Sequence, residues 1–379
     1  MYLNIMNNKK TGNLLRLIAF FLTAVILICT FGFTVDGWIL DSGTAASPND
    51  KEKDNLPDNI VNEPGDTEQG NQTPQVPEIY VPEYVNYLTG LETTKELAET
   101  MPISFLMDSS YAEYGIYGAD IMVEIPIESG ETRLLCIMCD TQNLWKIGSI
   151  APTRCYMSNL ASFFGATIIA YGCDDQLSYE SCNNDGKSLD FSANNAYHYT
   201  EFSNRVYTNV DLTNAGLTTL GINTKPTNHP SLPYSFPDFG TEPIFGNNRA
   251  TKIQIGFSQT NNTGLIYNEE IDRYTLYKNG TPKKDMLNGK APEFTNCLVL
   301  FADSITYDNV SCNQMVMDTI GSGQGFLFTA GTSEEINWTS TSDGVLTLYN
   351  ANGEKLTVNR GNTYISYMKS SQMENLIFS

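Results

Sequence analysis

Histidine, cysteine and basic residues are scarce in this 379-residue chain, and each shortage excludes something. With only two histidines, His198 and His229, no paired-His metal spacing exists, and both read as hydrogen-bonding loop residues. Lysine and arginine number 22 against 43 acids, a formal net charge of −21. Nucleic-acid binding needs clustered cations that displace counterions, so no nucleic acid is expected as a partner. The same charge excludes broad adhesion to an anionic lipid surface and repels anionic wall polymers unless a local basic site overrides it. Eight cysteines are too few for a disulfide-stapled scaffold. Cys29 lies in an apolar run, and most of the other seven read as buried small hydrophobes, with Cys173 and Cys182 as the candidate bridge. Cys136 and Cys139 have CxxC spacing, but a strand points i and i+3 to opposite faces, and no second ligand pair follows. A G-x-S-x-G elbow and a phosphate-cradling P-loop are also absent. Neither a cofactor nor a metal is expected.

Long apolar runs are lacking too, save one. Residues 14–33 are apolar except for Arg16, Thr23 and Thr30, about the ~20 residues that span a hydrocarbon core. Lys9, Lys10 and Arg16 precede or open the run and Asp36 is the first charge after it, so the N-terminus is expected in the cytoplasm and the rest outside. Cleavage after the run would need small residues close behind it, and Thr44-Ala45-Ala46 comes late. The predicted plan is a cytoplasmic segment (1–13), a single-pass membrane anchor (14–34), an acidic linker (35–82) and two extracytoplasmic domains (83–245 and 246–379). Residues 41–82 hold six prolines and nine acids against two lysines, a composition that stays extended because it buries too little to offset its ordering entropy.

The predicted fold class is α+β: a mixed sheet with packed helices in the first domain, then a β-rich second domain. Residues 103–108 read as a strand, and 119–126 alternate, with Ile121, Val123 and Ile125 on one face and Asp120, Met122 and Glu124 on the other. A tight connection at 128–131 leads into an apolar partner strand at 132–140. Pro152-Thr153 opens a helix over 154–164, closed by Gly165, and 166–171 is a short buried strand. Long loops fill 172–246, with one helix predicted at 199–210. Strands are predicted at 253–257, 273–278, 297–301, 325–330, 344–349, 355–358 and 364–368, with Asn352-Gly353 as a hairpin turn. The glycine-rich 321–325 precedes a strand rather than a helix, so it reads as a turn or bulge.

One stretch concentrates candidate chemistry. From Lys146 to Arg154 the chain runs from strand to helix start, where backbone N–H groups favour an anion. Arg133, Lys146 and Arg154 are therefore the candidate anion-binding residues. Asp108, Asp120, Glu124 and Glu128 are the candidate carboxylates, to orient the arginines, hold a divalent ion, or simply pair with them in the scaffold.

Several blocks carry a family likeness: Tyr87-Leu88-Thr89-Gly90-Leu91, Phe105 to Asp108, Gly118 to Ile121 with Glu124, Glu128-Ser129-Gly130, Thr132-Arg133, and Lys146 to Arg154. Later blocks are Gly321 to Gln324, Gly331, Trp338, Asn352-Gly353 and Arg360 to Tyr364. Together, from Tyr87 onward, they make the chain resemble the YerB-like lipoproteins, a bacterial family without an assigned biochemical role. The resemblance implies an extracytoplasmic two-domain protein, although Ile28 before Cys29 departs from a lipidation site. The order of acid-ended strand, Ala-Asp-Ile strand, Thr-Arg strand and Pro-Arg helix start is also similar to the LytR-CpsA-Psr envelope enzymes. The expected function is a membrane-tethered cell-envelope binding or assembly factor, with a cell-wall polymer or envelope protein as partner. The alternative is an enzyme handling phosphate- or pyrophosphate-linked glycans.

Overall fold

The computed structural model describes residues 79–173, 188–225, 228–309 and 312–379. The anchor at 14–34, nearly all of the linker and Cys182 of the expected bridge lie outside the described residues. Among the described residues no helix is long and apolar enough to cross a membrane.

After a four-residue helix α1 (Lys95–Ala98) come β1 (Ile103–Asp108), β2 (Ile121–Pro126), β3 (Thr132–Met138) and β4 (Ile147–Ile150). Helix α2 (Cys155–Ser162), β5 (Thr167–Ala170), β6 (Ser188–Asp190), β7 (Tyr199–Glu201), β8 (Arg205–Thr208) and helix α3 (Val210–Thr219) follow. Apart from a 3-10 helix at Ser370–Asn375 the later part is strand: β9 (Asn248–Arg249), β10 (Lys252–Gly256), β11 (Asn262–Asn268), β12 (Arg273–Lys278), β13 (Thr281–Pro282), β14 (Glu293–Phe294) and β15 (Asn296–Ala302). It closes with β16 (Ser304–Asn309), β17 (Cys312–Met317), β18 (Gly321–Thr329), β19 (Thr332–Ser340), β20 (Leu346–Tyr349), β21 (Thr363–Lys369) and β22 (Leu376–Phe378).

A 14-stranded mixed sheet runs β20-β19-β18-β15-β21-β2-β3-β1-β4-β8-β7, with β5 beside β1 and β6, and β9 beside β19. Its parallel pairs are β15–β21, β2–β21, β1–β5 and β5–β6. A six-stranded antiparallel sheet, β13-β12-β11-β10-β22 with β14, stands apart from it, and β16–β17 form a separate hairpin. The mixed sheet is as expected. The packed helices are not: α2 and α3 are the α-helices longer than one turn among the described residues, so the fold is β-rich throughout rather than α+β.

Alternation along the central strands explains the layering. Leu106, Ile121, Val123, Ile125 and Leu135 pack with Met157, Leu160 and Phe164 of the α2 segment. Their neighbours Phe105, Met107, Met122, Leu134 and Cys136 pack instead with Ile253, Ile255, Leu265 and Leu276 of the smaller sheet. The centre of the large sheet is thus buried on both faces, and β2 and β3 contain no exposed position. Cys136 and Cys139 fall into opposite clusters, as their spacing requires.

Three local expectations change. The helix predicted at 199–210 is the hairpin β7–β8, turned by Ser203 and Asn204 at φ 59° and 61°, and Asn209 then caps α3 by accepting from the Leu212 N–H. Tyr199, Val206 and Tyr207 favour a strand, and that preference wins. Gly321–Gly325 is no turn but the start of β18, where a Cβ on Gly323 would meet the Trp338 ring and Phe301 O within 3 Å. After Asn352-Gly353 the chain makes isolated bridges, Tyr349 to Lys355 and Ser235 to Thr357, in place of a returning strand.

Candidate functional site

β2 turns Glu124 toward the smaller sheet, so an acid expected on a polar face is fully buried. Burial alone would raise its pKa; the Lys278 ammonium and the hydroxyls of Thr132 and Tyr364 hold it below the usual carboxylate range. Lys278 Nζ pairs with Oε1, which also accepts from Thr132 Oγ1 at 2.7 Å. Oε2 accepts from Thr263 Oγ1 at 2.7 Å and from the Tyr364 hydroxyl at 2.5 Å. Four hydrogen-bonding groups from three strands and β2's own partner β3 thus saturate one buried carboxylate.

Beside this pair a polar cleft of about 560 Å³ opens between residues 109–113 and 278–286. Its wall includes Glu113, which is entirely buried and meets Lys283 Nζ at 2.7 Å. Burial pushes the Glu113 carboxyl up to about 7 despite that lysine. Lys283 also donates to the carbonyls of Ser109 at 2.9 Å and Tyr111 at 3.2 Å. Asp285, buried next to it, accepts from the N–H groups of Gly115, Tyr117 and Leu287, which ties the two walls together. Glu113 Oε1 has the Lys283 ion pair as its partner, and two further buried acceptors on this cleft have no donor or cation against them: Glu113 Oε2 and Asn261 Oδ1. The Asn261 amide is oriented by its Nδ2, which donates to Gly130 O at 2.8 Å. Nothing in the sequence around Glu113 or Asn261 signals this, since the residues that bury them come from distant strands.

The predicted site residues separate into four places. Arg133, Arg154, Glu128 and Asp108 come together. Arg133 lies opposite Asp108 in the β1–β3 register and donates to Pro152 O. Burial and the neighbouring Arg154 charge push its pKa down to about 10. Arg154, the N-cap residue of α2, pairs with Glu128 at 2.7 Å. Glu128 also accepts from the Met315 N–H at 2.9 Å; burial works against its charge, but that N–H and Arg154 keep its pKa lowered. Lys146 belongs elsewhere: it pairs with Glu201 at 2.5 Å between the rings of Tyr114 and Tyr207, 4.3 and 4.1 Å from their centroids. Asp120 accepts from the Cys139 N–H at 2.8 Å and Asn86 Nδ2 at 3.0 Å, and burial raises it to about 6. Glu124 forms the fourth place, with Lys278.

The histidines are packed rather than poised. His229 stacks on Tyr87 at 3.9 Å and shares a hydrogen bond with Ala98 O, while His198 packs against Tyr171 and Phe191. Among the described residues no group of three His, Cys, Asp or Glu could hold a metal ion. A larger groove, about 820 Å³, crosses the smaller sheet near Lys252, Gln254, Ile266 and Ile377, and none of its lining side chains carries an unsatisfied buried atom. The smaller cleft is therefore the better candidate, because unsatisfied polar atoms are what a ligand would complete.

These features define a β-rich protein of two face-packed sheets, with ion pairs sealed between them and a polar cleft at their margin. Residues 88–223 match the family described as "Protein of unknown function (DUF3048) N-terminal domain", and residues 253–365 match its C-terminal domain. The chain belongs to the DUF3048 family. It is similar in structure to the YerB protein from Bacillus subtilis, with a TM-score of 0.68 at 18% identity, covering 78% of this chain and 100% of that one. At that identity the likeness speaks for the fold. No curated protein matches the chain. The YerB-like resemblance is thus upheld, and the likeness to the LytR-CpsA-Psr enzymes gains no support.

Proposed function

We propose that this chain is a membrane-tethered, extracytoplasmic binding or assembly factor of the cell envelope, and that it holds its ligand in the cleft between residues 109–113 and 278–286. The observation that carries the cleft is the pair of buried acceptors without donors, Glu113 Oε2 and Asn261 Oδ1. Leaving such an atom unsatisfied costs about 1–3 kcal/mol, which a bound donor would recover. Support for the address comes from the sequence: the apolar run at 14–33, the cations before it and the acidic stretch after it.

The second reading, an enzyme acting on phosphate-linked glycans, keeps one observation in its favour: Arg133 and Arg154 are neighbours. Both are buried, however, and Arg154 is committed to Glu128. Their geometry fits a structural cross-brace between β3 and α2 better than an open anion site.

Protease added to intact cells tests the address. The tethered arrangement predicts digestion of residues 79–379 without lysis, together with membrane fractionation that survives a salt wash. Full protection in intact cells would place the folded part inside and end the proposal.

A further inference from the structure

The proposed ligand site also limits the chemistry of its ligand. The deep lysines of the cleft have no donors to spare. An ammonium offers three, and Lys283 donates to Ser109 O and Tyr111 O while its charge is taken up in the ion pair with Glu113. Lys278 spends its own on Glu124, Thr132 and Thr263. Above pH 7, where Glu113 is ionised, an anionic ligand would therefore find, at the base of the cleft, cations already neutralised and two acceptor oxygens that repel it. A metal ion would find those acceptors, but also the charges of Lys278, Lys283 and Lys284 on the same wall.

What remains complementary is an uncharged molecule rich in hydrogen-bond donors. Hydroxyl or amide N–H groups would donate to Glu113 Oε2 and Asn261 Oδ1 without bringing a charge into a buried wall. The rim offers a platform for such a molecule. Tyr111 lines the cleft with 41% of its surface exposed, steadied by the Arg205 guanidinium 3.7 Å from its ring centroid. A sugar ring has this dual character, with a C–H face for an aromatic ring and an edge of hydroxyls.

We infer that the cleft binds a neutral glycan segment, seated on Tyr111 with hydroxyl or acetamido N–H groups donating to Glu113 and Asn261. This inference rests on the cleft being the ligand site at all, and the test separates the two. At pH 8, where Glu113 is ionised, the full-length protein in detergent is titrated calorimetrically with a neutral β-1,4-linked N-acetylglucosamine tetramer, with polyglycerol phosphate and with magnesium chloride. Each titration is repeated for Tyr111→Ala, a surface change, and for Glu113→Gln, which swaps one acceptor oxygen for a donor nitrogen; thermal melts confirm that both are folded. The expected result is binding of the neutral tetramer, weakened at least tenfold in each variant. Binding of the polyanion or of magnesium instead, lost in Tyr111→Ala, would overturn the neutral-glycan inference and leave the cleft standing. Tetramer binding unchanged in both variants, or no ligand responding to either, would overturn the inference and the cleft together.

Discussion

Glu113 and Glu124 are both buried carboxylates facing a lysine, yet their pKa values shift in opposite directions. Burial outweighs Lys283 at Glu113, so its pKa rises from about 4.5 to about 7 in the folded state. Between those values the folded protein binds more protons than the unfolded chain, and stability falls as pH rises through that window. The loss amounts to roughly 3 kcal/mol, complete above pH 7. Urea denaturation at pH 4.5 and pH 8 should show wild type losing about that much relative to Glu113→Gln; a pH-independent difference would mean the carboxyl stays ionised throughout. At Glu124, Lys278 and the surrounding hydroxyls prevail over burial and lower the pKa. Its contribution is present above the ordinary carboxylate range and lost only as pH falls below it. Neither outcome is legible from the residues alone. The alternation of β2 shows which face Glu124 takes, but not that a second sheet will cover that face.

At the scale of elements, β2, β3, β11, β12 and β21 meet at one point. Glu124 of β2 is bonded by Thr132 of β3, Thr263 of β11, Lys278 of β12 and Tyr364 of β21. Removing one partner of such a pair leaves a charge buried alone, at a cost of about 3–5 kcal/mol. Lys278→Met should lose about that much in chemical denaturation, and adding Glu124→Gln should restore a good part of it. Equal destabilisation in the single and double variants would show that packing around Lys278, not its charge, matters. The elements themselves were largely legible. β1, β2, β3, α2 and β5 follow from alternation, the tight connection at Glu128–Gly130 and Pro152 before the helix. The β7–β8 hairpin was not legible because Ser203-Asn204 is a weak turn signal, and because Asn209, which caps α3, falls inside the stretch expected to be helical.

At the scale of the whole molecule, the described residues are knitted by the parallel β2–β21 pairing, Ile121 to Thr363 through Glu124 to Ser366. The two family segments therefore share one continuous sheet, and the described residues form one compact unit. A shared sheet couples the stability of its halves, so thermal unfolding should give a single transition, with near- and far-ultraviolet circular dichroism coinciding. A chain ending at residue 245 would expose the β21-facing edge of β2 and should fail to fold or should aggregate. Two separate transitions, or a soluble folded fragment, would show that the junction contributes little.

By itself the sequence determined the acidic character, the strand-rich pattern, the opposite facing of Cys136 and Cys139, and the family resemblance. All of these depend on composition or on neighbours within a few residues. Only the tertiary structure decided which carboxylates are buried, that Lys146 parts from Arg133 and Arg154, and that two acceptors on one cleft lack donors. The physical reason is separation along the chain. Glu124 meets its lysine 154 residues away and its tyrosine 240 away. Periodicity settles which way a side chain points, whereas the dielectric and the donors it finds there are set by whatever distant strand packs over it.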